Sequence, residues 1–361
     1  MDIEKLSQRY GAFWSRENDD RPIVNMTTHA HRIPVEKSAG HNTLRDAWLD
    51  TEHVIKKARQ TIESTVYLAD AFPAFNPNLG PDLVGAVCGC ELEFGEITSW
   101  SKPCIDDYDE FGTVKFDENN FYWKKIVEIT KAALEDSKGD YIVGITDLHP
   151  GADAVVSMRG AQTAAFDIYD YPDEFKKTVW DVYPVFQQMT EKLHGMISQK
   201  QKFTSCWMGI IHPTELWYPT SCDFSCMISG DDFDEFVMPE LVEEIKWLPN
   251  SIYHLDGPDA LRHLDKLLLI EELKGVQWVY GAGQPTAKHW IDVYKKIQAA
   301  GKCAHIGCSA EDFIPLCEAL DPQGIFIRCG VPDKESGEHL IGEMERIYRQ
   351  KRGQFSFVKS K

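Results

Sequence analysis

Ser251-Ile252-Tyr253-His254-Leu255-Asp256-Gly257-Pro258 is the stretch on which the fold turns. Its β-branched and aromatic residues run into a Gly-Pro turn, which predicts a short strand stopped by a loop. A helical pattern, Asp259–Leu269, follows at once. The same unit then recurs toward the C-terminus. Strands are predicted at Val276–Tyr280, Cys303–Ile306 and Ile325–Arg328, and helices at Thr286–Ala300, Ser309–Leu320 and Ser336–Lys351. Toward the N-terminus, Pro22–Met26, Thr65–Ala69, Tyr141–Ile145 and Phe203–Met208 read as strands. Trp123–Glu135, Pro172–Lys200 and Asp231–Ile245 read as helices.

Alternating strands and helices of this length predict a parallel sheet with helical crossovers. Eight strand candidates favour a single (β/α)8 TIM-type barrel over residues 1–361. Residues 1–20 are expected to form an N-terminal helical extension. The Gly-, Pro- and aromatic-rich residues 72–121 read as an insertion over the barrel mouth. A doubly wound open sheet fits less well, because the chain has neither GxGxxG nor GxxxxGK[ST].

The chain has 361 residues, of which 38 are Lys or Arg and 57 Asp or Glu, for a formal charge of -19. No basic cluster precedes the short tail Arg349-Gln350-Lys351-Arg352, so nucleic acid is excluded as the expected partner. No run of 18 apolar residues exists, and the N-terminus has no signal-like apolar core. A cytoplasmic protein with no membrane partner is therefore expected. Its ten cysteines should then be reduced thiols that fill the core, ligate metal or attack substrate.

In a parallel barrel, function gathers where strands end. The polar groups there are Thr27, His29 and His31, then Asp70, then Asp147 with His149, then His212 with Glu215. His254 and Asp256 follow, two apart on one strand and so on one face. Such a pair can bind a divalent metal, the Asp can orient the imidazole, or it can cap the next helix. Cys329, in Arg328-Cys329-Gly330-Val331-Pro332, is either a metal thiolate or a small core residue. Glu91, Glu93 and Glu96 lie in the insertion and either face a cationic substrate, supply a fourth metal ligand or are solvated. Trp217 and Tyr218 with Asp223, and Gln277 with Trp278, read as aromatic pocket walls carrying fixed polar groups.

These stretches resemble the uroporphyrinogen decarboxylase superfamily, which includes zinc-dependent methyltransferases acting with corrinoid proteins. Arg21-Pro-Ile-Val-Asn-Met26, Asp70 in Leu-Ala-Asp-Ala-Phe-Pro73, Arg159-Gly160, Asp223 with Met227-Ile-Ser229, and Cys329-Gly330-Val-Pro332 carry the likeness. The resemblance implies a (β/α)8 barrel with a catalytic Asp70. Met26 is followed by Thr27-Thr-His-Ala-His31 in place of the decarboxylase's arginine clamp, so a tetrapyrrole substrate is not expected. The methyltransferases hold zinc with His-x-Cys and a distant Cys. His254 and Cys329 match the first and last positions, and Asp256 replaces the middle Cys.

The implied function is a zinc-dependent methyltransferase that moves a methyl group between a small-molecule or thiol substrate and a corrinoid protein. Zinc would sit on His254, Asp256 and Cys329. His29, Asp70 and Asp223 would be catalytic, and Glu91, Asp147, Trp217, Tyr218, Gln277 and Trp278 would bind substrate. The corrinoid would ride on a partner, because the chain lacks DxHxxG. A homodimer is a further expectation. The alternatives are a metal-free, decarboxylase-like lyase acting on a small carboxylic acid, and a non-catalytic small-molecule-binding barrel.

Overall fold

The computed structural model describes residues 2–29 and 40–359. His31 lies outside them. The strands are β1 (Ile23–His29), β2 (Thr65–Ala69), β3 (Ala74–Phe75), β4 (Glu91–Phe94), β5 (Ser99–Lys102), β6 (Ile142–Val143) and β7 (Thr204–Ser205). They continue with β8 (Ile211–His212), β9 (Trp217–Ser221), β10 (Asn250–Asp256), β11 (Gly275–Val279), β12 (Cys303–Ser309) and β13 (Ile325–Gly330). The architecture is mixed α/β around a mostly parallel sheet of seven strands, ordered β2-β1-β13-β12-β11-β10-β9. First and last parallel strands are thus neighbours: Asn25 pairs with Arg328, and Met26 with Cys329. β3 and β6 form a separate parallel pair.

The second strand departs from expectation. β2 runs antiparallel to β1, with His29 opposite Thr65 and Asn25 opposite Ala69. A strand read from composition alone carries no direction, and here the reversal sends its C-terminal end to the opposite end of the sheet. Residues 74–75, predicted within the insertion, belong to β3. The rest of that segment folds as helix Leu83–Val87, the β4–β5 hairpin and helix Tyr108–Phe111. It is tied to helix Gly151–Arg159: the Cys104 and Ile105 N–H groups donate to Met158 O, and Ser101 Oγ donates to Ser157 O.

Helix Ile3–Trp14 is capped by Asp2, whose carboxylate accepts from Lys5 N. It closes the end of the sheet from which the parallel strands start. Tyr10 packs edge-on against Phe72 and lies 6.3 Å from Phe326, while Phe13 meets the same Phe326 ring. The outer layer of helices packs on the other face through Val24, Ile306, Ile327 and their buried neighbours.

Candidate functional site

Register decides which residues share a face. His254 lies beside Gln277, Gln277 beside His305, and His305 beside Phe326, across β10 to β13. Partners in a parallel ladder point the same way, and residues two apart do so as well. Asp256 therefore shares the His254 face, one step nearer the C-terminal strand ends. Cys329 is paired with Cys308 and Met26, and so points to the opposite face. It is buried there in the outer core.

The group that does assemble is different from the one expected. Asp223, His254 and Asp256 offer ligand atoms within 4.8 Å of one another, and so do His149, Asp153 and Asp223. Asp223 joins the two sets. It opens the short helical turn Asp223–Met227, and Asp153 holds that turn. The Asp153 carboxylate accepts from the N–H groups of Asp223, at 2.8 Å, and Phe224, at 2.9 Å. Asp153 itself sits in the first turn of helix Gly151–Arg159. His149 Nε2 stands 3.1 Å from Asp147, and its Nδ1 is 3.7 Å from Asp153 and 4.0 Å from Asp223. Tyr218 fixes this loop from below: its hydroxyl donates to Thr146 O and accepts from Leu148 N.

Electrostatics follow from this crowding. Burial disfavours a charge on His149, but Asp147 and Asp153 outweigh it and hold its pKa well above the ordinary imidazole value. Burial, then the charge of Asp153, pushes Asp223 up to about 6, against the pull of both histidines. Behind them, burial and Asp153 raise Glu240 to about 8. The carboxylates thus exceed the positive charge available to them, which is the condition a cation relieves.

A chain of hydrogen bonds sets the state of His254. His305 is neutral, its pKa pushed down to about 3 by burial. Its Nε2 lies 3.0 Å from Met208 O, a group that only accepts, so Nε2 carries the proton. Its Nδ1 then accepts from the Gln277 amide N–H at 3.0 Å. That turns the Gln277 oxygen toward His254, whose Nδ1–H donates to it at 2.5 Å. The other ring nitrogen, His254 Nε2, lies 3.9 Å from Asp223 Oδ1. With Asp256 beside them, these ligand atoms form one of the two groups that could hold a cation. The cleft beside this group has a volume of about 380 Å³ and is lined by His149, Asp153, Asp223, Asp82, Ser101 and Met227, among others.

The remaining expected residues are placed elsewhere. Asp70 follows the antiparallel β2 and so lies at the far end of the sheet. There it is gripped by Arg21, at 2.5 and 2.9 Å, and accepts from Val24 N. Glu91 is on the β4–β5 hairpin, hydrogen-bonded by Tyr122 and near Arg45. Trp217 is fully buried and donates to Thr204 O. Trp278 alternates with Gln277 and points into the helical layer against Trp290. Tyr218 is a buried support rather than a pocket wall. His29 ends β1 on the His254 face, exposed. Sequence reasoning did not single out Asp153. Its signal was the spacing His149-x-x-x-Asp153 at a helix start.

No family model and no curated protein matches the chain. Among solved structures it is similar to a β-mannanase from a symbiotic protist of the termite Reticulitermes speratus, complexed with gluco-manno-oligosaccharide. The identity is 10%, the match covers 90% of this chain and 84% of that one, and the TM-score is 0.37. The expectation of a zinc-dependent methyltransferase with a corrinoid partner is corrected on the geometry, since its third ligand, Cys329, lies on the wrong face. The lyase alternative loses its catalytic Asp70 to the far end of the sheet. No observation favours the non-catalytic barrel.

Proposed function

We propose that this protein is a divalent-cation-dependent enzyme of hydrolytic type, built on a (β/α)8-type barrel. Two features support the barrel: β13 pairs with β1, and the parallel β3–β6 pair accounts for strands between β1 and β9. One observation carries the functional reading, namely the convergence of Asp223, His254 and Asp256 within 4.8 Å. Two carboxylates and one imidazole, with no thiolate, suit a cation that keeps oxygen ligands. A divalent ion bound there supplies a Lewis acid that polarises a carbonyl or phosphoryl oxygen and acidifies water.

The other residues supply binding and proton chemistry. His149, held charged by Asp147 and Asp153, offers a proton at Nδ1 to a leaving group in the cleft. Asp153 holds the Asp223 turn in place while it balances that charge. Met227, Ser101 of the hairpin and Pro103 just after it line the cleft.

The test is a panel of small ester, amide and phosphoester substrates, assayed after chelation and again after Zn²⁺ or Mn²⁺ is restored. Turnover should appear only with the cation, and His149→Ala should lower kcat at least tenfold while the cation stays bound. Equal turnover before and after chelation would refute the reading.

A further inference from the structure

Arg328 is a guanidinium without an internal partner. Among the described residues it makes no hydrogen bond and no ion pair. On β13 it shares the inner face with Phe326, two residues before it, and therefore with His305, Gln277 and His254. Its register neighbours are Asn25 on β1 and Gly307 on β12. Asn25 has already committed its amide N–H to Gly209 O. Gly307 contributes no side chain, and among the described residues no other group lies within 4 Å of where its Cβ would sit. Among the described residues, the space over Gly307, beside Arg328 in the register, is therefore open.

The side chain is exposed to water, yet burial of its surroundings lowers its pKa. An arginine stays charged, so a desolvated one lacking an anion is costly and invites a bidentate oxyanion. In a chain of net charge -19, such a site is not a by-product of a basic surface. Neutral His305 beside it adds no competing charge.

We propose that Arg328 is the anion subsite of the mouth and that the substrate is a small molecule carrying a terminal oxyanion, a carboxylate or a phosphate. The bond to be broken lies toward Asp223, His254 and Asp256. β10 and β13 are three strand steps apart, so at ~4.8 Å per step the two ends are separated by at most about 14 Å along the sheet. Only the assignment of the reacting end rests on the proposed function. The anion pairing needs no cation.

The experiment is calorimetric titration of the cation-free protein with succinate and, separately, with inorganic phosphate. One of the two should bind saturably, which identifies the oxyanion. Arg328→Gln should weaken that binding at least tenfold without lowering the melting temperature, since no internal contact is lost. Gly307→Val, which fills the open space, should weaken it as well. No saturable binding of either anion, or binding untouched by Arg328→Gln and Gly307→Val, overturns the proposal. Cation binding measured on the same samples reports separately on the site of Asp223.

Discussion

His254 shows how much of a residue's chemistry is set by neighbours that touch no substrate. The fixed carbonyl of Met208 determines His305, which determines Gln277, which orients the His254 ring through its Nδ1–H. Removing the middle link should loosen the ring. Gln277→Ala is expected to weaken Zn²⁺ binding by about 10- to 100-fold, measured by competition with a chelating dye. An unchanged affinity would show that the relay is not needed. Asp70 makes the contrasting case. Buried and doubly gripped by Arg21, it should matter for stability and not for the site. Asp70→Asn should cost about 3–5 kcal/mol of unfolding free energy and leave Zn²⁺ affinity as it was. Loss of Zn²⁺ binding by the folded variant would return Asp70 to the site.

Helix Met238–Trp247 presents Glu240 and Glu244 to the back of the site, both fully buried. Burial and then Asp153 raise the Glu240 pKa from its ordinary value to about 8. The folded state therefore holds a proton that the unfolded chain releases, and stability falls as pH rises from about 4.5 toward 8. Glu240→Gln removes that slope. It should be more stable than the natural protein at pH 8, by on the order of a few kcal/mol, and similar to it at pH 4.5. Parallel urea-denaturation curves with the same offset at both pH values would contradict this.

The elements also show what the sequence could reveal. The strand–helix units from Asn250 onward were legible because short apolar runs alternate with amphipathic segments bounded by Gly and Pro. The predicted helix Pro172–Lys200 is observed as Pro172–Ser198. β9 was read as a pocket wall because Pro219 and two aromatics disguise it. It is an edge of the seven-stranded sheet, where proline is tolerated. The direction of β2 was not legible, because orientation is settled by what a strand pairs with.

At the scale of the whole molecule, the site is a consequence of parity in a parallel sheet. His254 and Asp256 were legible as a same-face pair from their spacing. Cys329 was not placed correctly, because its face depends on the β12–β13 register, which spacing within one segment does not reveal. Asp223 and Asp153 meet through a loop and a helix start some 70 residues apart, a pairing that exists only after folding. The long helix Ile3–Trp14 seals one end of the sheet and leaves the other for chemistry. Among the described residues, no helix is long and apolar enough to cross a membrane. Asp223, His254 and Asp256 are proposed to form a cation site without Cys329. The most direct test is Zn²⁺ titration calorimetry on the natural protein, Asp223→Asn, His254→Ala and Cys329→Ser. About one cation per chain is expected, abolished by the first two changes and retained by the third. No binding to the natural protein, or loss of binding in Cys329→Ser alone, would contradict it.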